Sequence, residues 1–290
     1  MGDCAATTAL TSTLAQVLSR PVLRSWPVRT SSRTLAVLLF DEVELWDVAA
    51  VMQVASLAGR HWNWRPFRLL PTAEKAGLIE TRSQLRLEAQ YALGNCPEPE
   101  ILLVPGGYGA RRAAQNSLVT DWCARVWPRL ELALAIGSGV LVLGAAGLID
   151  GEEVAVSAEN LEAFSALLPN TRCLDPKSIV AKSVESKGSE AQGSAAPGSA
   201  TPGSATPGSA TPGSATPGSA TRGIEANGVL RSPSGKLLSC AGSGTALELG
   251  LALVERCLGA RLAGNLRHSV LPSATTRLEL SEQKLELPPR

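Results

Sequence analysis

The chain has 290 residues, 44% of them hydrophobic, which is enough apolar material to bury a full core. Its 27 basic and 26 acidic residues leave a formal charge of +1, so no net charge draws it to nucleic acid or to an anionic membrane. No apolar run approaches the roughly 20 residues of a membrane span. Neither nucleic acid nor a membrane is therefore expected as a partner. The six cysteines form no C-x-x-C pair, which favours a reducing compartment and predicts neither a metal nor another cofactor.

The first 33 residues form a segment of their own. They hold four arginines, many serines and threonines, and Asp3 as the only acid, a bias found in organelle transit peptides. A disordered leader is the favoured interpretation, because any terminus rich in serine and threonine has a similar composition. We therefore expect a cytoplasmic protein, with organelle import through residues 1–33 as the alternative.

The segment that follows alternates between two periodicities. Residues 34–40 form a continuous apolar run, typical of a strand buried on both faces, and residues 45–57 repeat apolar side chains at helical spacing. The same alternation continues down the chain. Further strands are predicted at 66–71, 85–87, 101–104, 132–136 and 153–156, and further helices at 118–130, 139–148 and 161–168. This order predicts an α/β fold with a doubly wound, mostly parallel sheet and helices on both faces.

Pentapeptide repeats interrupt the pattern after about residue 180. Apart from a final arginine, residues 193–222 are all glycine, serine, alanine, threonine or proline, so they have no large apolar side chain to bury. The segment 181–223 is therefore predicted to be a flexible tether or spacer. A hairpin (229–231 with 236–239) and a helix (245–258) follow. They cannot form a core alone, so 34–180 and 224–264 are predicted to form one domain that carries the repeat as an insertion. Residues 265–290 are interpreted as a polar tail.

Four segments suggest a family. They are FDEVELWDVA at 40–49, ILLVPGGYGAR at 101–111, AIGSGVLVLGAAGLIDG at 135–151 and SCAGSGTALELGLALVERCLG at 239–259. Together, and in this order, they resemble the ThiJ/PfpI superfamily, the class I glutamine amidotransferase-like proteins that include isonitrile hydratases. The resemblance implies a flavodoxin-like fold and a homodimer.

The resemblance also places a reactive cysteine on a sharp turn between a strand and a helix. In this chain that position is Gly137, followed by Ser138 and Gly139. The histidine that many relatives carry falls at about Ser157. Because neither position holds its usual side chain, the family's thiol chemistry is expected to be absent.

Asp47 matches the acid that relatives place beside the nucleophile, with Glu44 as a nearby alternative. We expect a pocket at the carboxyl edge of the sheet that binds a small molecule or a protein partner. Its predicted lining is Glu44, Asp47, Gly106, Gly107, Gly137 and Ser138. The alternative is a small-molecule hydratase, hydrolase or lyase that uses Asp47 or Ser138 in place of the cysteine.

Each candidate also has a structural interpretation. Asp47 suits the first turn of a helix, where acids are favourable, and Ser138 suits a helix cap. Cys240 precedes a segment that returns toward the same face in relatives. A buried, unreactive thiol is favoured there over a reactive one.

Overall fold

The computed structural model describes residues 32–60, 64–178, 224–225 and 228–270. The predicted leader up to residue 31, the tether at 181–223 and the tail from residue 271 lie outside the described residues. Within the described ranges, no helix is both long and apolar enough to cross a membrane.

The strands of the described residues are built from the short apolar runs of the sequence. In chain order they are β1 (Arg33–Leu38), β2 (Phe67–Ala73), β3 (Gly77–Glu80), β4 (Arg86–Ala89), β5 (Tyr91–Ala92), β6 (Ile101–Val104), β7 (Leu132–Ile136), β8 (Glu153–Ala155), β9 (Arg172–Leu174), β10 (Ile224–Glu225), β11 (Val229–Arg231) and β12 (Leu237–Cys240). Eight of them form one sheet in the order β10-β11-β12-β7-β6-β1-β2-β5. The pairs from β12 to β5 are parallel, and only the β10–β11 and β11–β12 pairs are antiparallel.

Helices cover both faces of this sheet. They are α1 (Leu45–Leu57), α2 (Ala110–Gln115), α3 (Ser117–Val126), α4 (Val140–Ala145), α5 (Leu161–Leu167), α6 (Ala246–Leu258) and α7 (Ala260–Val270). Successive strand side chains point to opposite faces. In β1, Leu35 and Val37 pack with α1, α6 and α7, whereas Ala36 and Leu38 pack with α3, α4 and α5. The predicted α/β fold with a mostly parallel sheet is confirmed.

The segment after the repeat lies in the same sheet. Strand β12 pairs in parallel with β7, from Leu237 opposite Ala133 to Cys240 opposite Ile136. Helix α7 extends beyond Gly264, where the sequence predicts the start of a polar tail. Leu262 and Leu266 recur at helical spacing and are buried in the core.

Several other elements differ from their predictions. The strand predicted at 153–156 is β8, which pairs with β9 in a separate two-stranded sheet. The strand predicted at 85–87 is half of a β3–β4 hairpin. Strand β3 was missed because its side chains are mostly exposed and show no apolar alternation. The helix predicted at 118–130 ends at Val126 and continues as a 3₁₀ turn containing Pro128, which has no backbone N–H to extend the helix.

A buried serine joins the small β8–β9 sheet to the large one. The side chain of Ser239 in β12 accepts a hydrogen bond of 2.9 Å from the backbone N–H of Ala155 in β8. Ser239 is fully buried, so water cannot replace this bond.

We predict that Ser239→Ala lowers the free energy of unfolding by about 1–3 kcal/mol, because the Ala155 N–H is left buried and unsatisfied. Urea unfolding measures the change. Ser56→Ala, on the exposed face of α1, is the control and should change the stability by less than about 0.5 kcal/mol. A Ser239→Ala variant as stable as this control would contradict the role assigned to the bond.

Candidate active site

The site lies where the strand order reverses. From β1 the chain moves to β2 on one side, and later to β6 on the other side. The loops that follow β1 and β6 therefore lead to opposite sides of the sheet at its carboxyl edge, the usual ligand position in such sheets. Glu44 and Asp47 follow β1, Gly106 and Gly107 follow β6, and the residues that follow β7 complete the edge.

Asp47 occupies the first turn of α1 and is only 2% exposed. Its Oδ2 atom accepts a hydrogen bond of 2.9 Å from the backbone N–H of Gly106. Its Oδ1 atom is buried without a hydrogen-bond partner among the described residues. A buried carboxylate oxygen in this state is costly unless it is protonated or meets a donor from outside the chain.

Burial raises the pKa of Asp47 from its ordinary value of 3.8 to about 6. The Ser243 hydroxyl and the Gly106 N–H oppose this rise by favouring the charged form, and the negative charge of Glu44 adds to it. Ser243 acts here as a neighbouring dipole, since its geometry falls short of a hydrogen bond to Oδ1. Asp47 therefore changes its charge close to neutral pH.

The turn after β6 is packed tightly against Asp47 and the loop after β1. A Cβ atom at Gly106 would lie 2.9 Å from Oδ2 of Asp47, and a Cβ at Gly107 would lie 2.5 Å from the carbonyl oxygen of Glu42. The backbone N–H of Glu44 donates to the Gly106 carbonyl at 2.9 Å. Glycine is required at both positions because two loops meet there without room for side chains.

Gly137 begins the 3₁₀ turn between β7 and α4 and has a φ of +49°. This left-handed conformation is uncommon for residues with a side chain. The surrounding space nevertheless admits one, since a Cβ atom there would lie 3.4 Å from the carbonyl oxygen of Ala241, an ordinary contact. A Cβ atom is therefore excluded at Gly106 and Gly107, in the turn after β6, but has room at Gly137, in the turn after β7.

Ser138 holds the neighbouring turn in place. Its Oγ accepts a hydrogen bond of 3.0 Å from the Gly107 N–H and donates one of 3.1 Å to the Gly107 carbonyl. No side-chain base takes part in these bonds. Ser157 accepts a hydrogen bond of 2.8 Å from the Asn160 side chain.

The end of β12 also reaches this edge. Cys240 is fully buried, and burial raises the pKa of its thiol to about 12, with the nearby Asp47 charge adding to the rise. This thiol stays protonated at neutral pH, which agrees with the buried, unreactive interpretation. Ser243 was not predicted as a site residue; the only signal for it was its place in the glycine-rich segment after Cys240.

Two open clefts lie next to these residues, not on them. They adjoin each other, occupy about 620 and 440 Å³ between the β3–β4 hairpin and α2, and include none of the six predicted pocket residues in their linings. The edge beside Asp47 is bounded largely by backbone, because Gly106, Gly107 and Gly137 bring no side chains to it.

The strand-turn-helix arrangement of β7, the Gly137 turn and α4 agrees with the sequence comparison. Residues 33–184, more than half of the chain, match the model of the DJ-1/PfpI family. The chain belongs to the DJ-1/PfpI family. The resemblance to the ThiJ/PfpI superfamily is thereby confirmed.

Similar proteins of this family include an isonitrile hydratase from Pseudomonas putida, 28% identical over 146 residues, which are 49% of this chain and 58% of that enzyme. The match thus spans less than two thirds of the enzyme's length. DJ-1beta of Drosophila melanogaster has a TM-score of 0.57 at 15% identity, covering 84% of this chain and 100% of that one. A ThiJ/PfpI family protein from Pseudomonas syringae has a TM-score of 0.56 at 15% identity, covering 90% and 78%. At these identities the two structures establish the fold alone.

The raised pKa of Asp47 predicts a pH-dependent stability. Between the unfolded value of 3.8 and the folded value of about 6, the folded protein binds more protons than the unfolded chain. Its stability therefore falls as the pH rises through this window. We predict that Asp47→Asn is more stable than the wild type at pH 8, by about 1–3 kcal/mol, and that the difference disappears below about pH 4. Urea unfolding across this range measures it; a difference independent of pH would contradict the prediction.

Gly106 and Gly137 should differ in how well they tolerate substitution by alanine. Gly106→Ala should lower the unfolding free energy by about 1–3 kcal/mol, because the new methyl group overlaps Oδ2 of Asp47. Gly137→Ala should cost only about 1 kcal/mol, the strain of a left-handed residue. Denaturant unfolding of the two variants side by side measures the contrast. Equal losses, or a larger loss for Gly137→Ala, would disprove the assignment of free space at position 137.

Proposed function

We propose that this DJ-1/PfpI domain is catalytically degenerate and binds a small polar molecule, or a polar side chain of a protein partner, at the crevice of Asp47, Gly106, Gly107, Gly137 and Ser138. By family resemblance, Gly137 occupies the position of the reactive cysteine. The protein is proposed to act as a homodimer in the cytoplasm and to use no cofactor.

The main support is the combination of conformation and space at Gly137. A φ of +49° is the geometry of a strained elbow, and the space beside it would hold a Cβ atom without overlap. The chain therefore keeps the turn while carrying no nucleophile on it. Ser138 is a poor replacement, because both hydrogen bonds of its hydroxyl are made to Gly107 and no base is bonded to it.

The state of Asp47 supports a ligand with a donor group. Its Oδ1 atom is buried and has no hydrogen-bond partner in the part of the chain that the structure describes, so a ligand that donates a hydrogen bond would remove the cost of that oxygen. The space left by the missing side chain at Gly137 lies along the same edge. We therefore expect a compact ligand with an N–H or O–H group.

One observation favours a second candidate, a hydratase or hydrolase that uses Asp47 as a general base. A pKa of about 6 lets this carboxyl exchange protons near neutral pH, as a general base must. The similarity to an isonitrile hydratase names a substrate class for this alternative.

A turnover screen against isonitriles, α-oxoaldehydes, and simple esters and amides distinguishes the binding function from the enzymatic alternative. We predict no turnover by the folded wild type. Turnover that is lost in Asp47→Ala or Ser138→Ala would overturn the proposal and identify the replacement catalytic group.

The same proteins are then tested for binding of small amides and alcohols by NMR titration. Binding should shift signals around Gly106 and Gly137 and should be lost in Asp47→Ala. Asp150→Ala, which changes an exposed acid, is the matched control and should bind as the wild type does.

A further inference from the structure

The turn after β12 contributes none of the six predicted pocket residues. Residues 241–245, here called the β12 turn, connect β12 to α6 and include a 3₁₀ turn at Ser243–Thr245. A Cβ atom at Gly137 would lie 3.4 Å from the carbonyl oxygen of Ala241 and 3.7 Å from the Cα atom of Gly242. The β12 turn therefore borders the space that the missing side chain at Gly137 leaves.

The same turn also lies beside Asp47. The Ser243 hydroxyl is close enough to the carboxyl group to favour its charged form and lower its pKa. Cys240, the last residue of β12, lies opposite Ile136 in β7. A Cβ atom at Gly106 would lie 2.9 Å from both the Ile136 carbonyl oxygen and Oδ2 of Asp47. The turns after β6, β7 and β12 thus meet around Asp47.

The β12 turn differs from the turn after β6 because space remains beside it. Gly242 and Gly244, on either side of Ser243, could each carry a Cβ atom with no heavy atom within 4 Å apart from their chain neighbours. Ser243 and Gly137 are both partly exposed. A small molecule can therefore contact the site from this side, whereas backbone atoms close it at Gly107.

Polar groups of the β12 turn are available to a ligand. Among the described residues, the backbone N–H groups of Ser243 and Gly244 have no acceptor, and the Ser243 hydroxyl has no partner other than Asp47. They stand just before α6, a helix of 13 residues whose dipole favours an acceptor at this end. Oδ1 of Asp47, in a residue only 2% exposed, has no donor in the same described part of the chain. The site therefore offers donors beside an acceptor.

We propose that the β12 turn completes the ligand site and that Ser243 selects a ligand with an amide group. The amide N–H donates to Oδ1 of Asp47, and the amide oxygen accepts from the Ser243 hydroxyl. An amide fits because its donor and acceptor are adjacent, as are the Asp47 carboxyl and the Ser243 hydroxyl. A carboxylate would instead be repelled by the charge of Asp47. This inference rests on the proposed function and narrows its ligand class.

The test titrates the full chain at pH 8, where Asp47 is charged, with acetamide, acetone and pyrrole, followed by NMR. Acetone has no donor for Asp47, and pyrrole has no acceptor for Ser243. Acetamide should shift the backbone signals of residues 242–244 and bind at least about tenfold more tightly than either other probe. Equal binding of acetamide and another probe would overturn the amide inference and leave the proposed binding function standing. No binding of any probe at about 0.1 M would overturn both.

Variants of Ser243 test its role in selection. Ser243→Ala should weaken acetamide binding by about tenfold and leave pyrrole binding unchanged, because only acetamide accepts from the hydroxyl. Ser243→Thr keeps the hydroxyl and should retain acetamide binding. The matched control is Ser56→Ala, which removes an exposed hydroxyl from α1. If Ser243→Ala bound acetamide as tightly as this control, the role of Ser243 would be disproved.

A second measurement needs no ligand. The Asp47 carboxyl is titrated by carbon NMR in the wild type and in Ser243→Ala. Because the Ser243 hydroxyl favours the charged carboxylate, its removal should raise the pKa of Asp47 further above about 6. An unchanged pKa would show that the hydroxyl does not act on Asp47, and the inference would fall even if the domain binds small molecules elsewhere along this edge.

Discussion

The hydrogen bond from the Gly106 N–H to Oδ2 of Asp47 is the constraint on which the site depends. It joins the first turn of α1 to the turn after β6 at the point where the strand order reverses. The contact forces glycine at Gly106, because any side chain there would overlap the carboxyl group. It also fixes Asp47 in a buried position, where its pKa rises to about 6 and its Oδ1 atom has no hydrogen-bond partner among the residues described. Such a residue costs stability, and proteins commonly keep that kind of cost at functional sites.

The turn after β7 completes this geometry from a different strand. Ser138 bonds both polar groups of the Gly107 backbone, so the turns that follow β6 and β7 hold each other in place. Gly137 lies in this turn with a left-handed φ and with room for a Cβ atom beside it. In the proposed function, this arrangement is a nucleophile elbow without its nucleophile. In that proposal the turns that shape the site are kept, and binding does not require a thiol.

Hydrophobic periodicity was sufficient to predict the buried elements of the fold. Helix α1 and strands β6 and β7 have the predicted bounds, because their apolar runs are packed on the central sheet. The β3–β4 hairpin was only half predicted, since exposed strands leave no such signal. Strand β8 was predicted but not its separate sheet, because pairing partners distant in sequence cannot be read from local pattern.

Family resemblance predicted that these residues lie at one edge of the sheet, and the structure shows contacts that the motifs did not specify. Asp47 bonds Gly106, and Ser138 bonds Gly107, along this edge. The dipole of Ser243 near Asp47 was not predicted, because it depends on how β12 returns to β7 after the repeat. The raised pKa of Asp47 could not be predicted from the sequence either, since it follows from burial and not from residue type.

The most direct test of this account restores a side chain to the elbow. In Gly137→Cys, the rate of alkylation by iodoacetamide at position 137 is followed by peptide mass spectrometry, with Cys240 as the internal reference. We predict a folded protein whose new thiol reacts much faster than Cys240, and at a rate that changes with pH as Asp47 titrates at about 6. An unfolded variant, or a thiol at position 137 as unreactive as Cys240, would show that the turn cannot hold an accessible side chain.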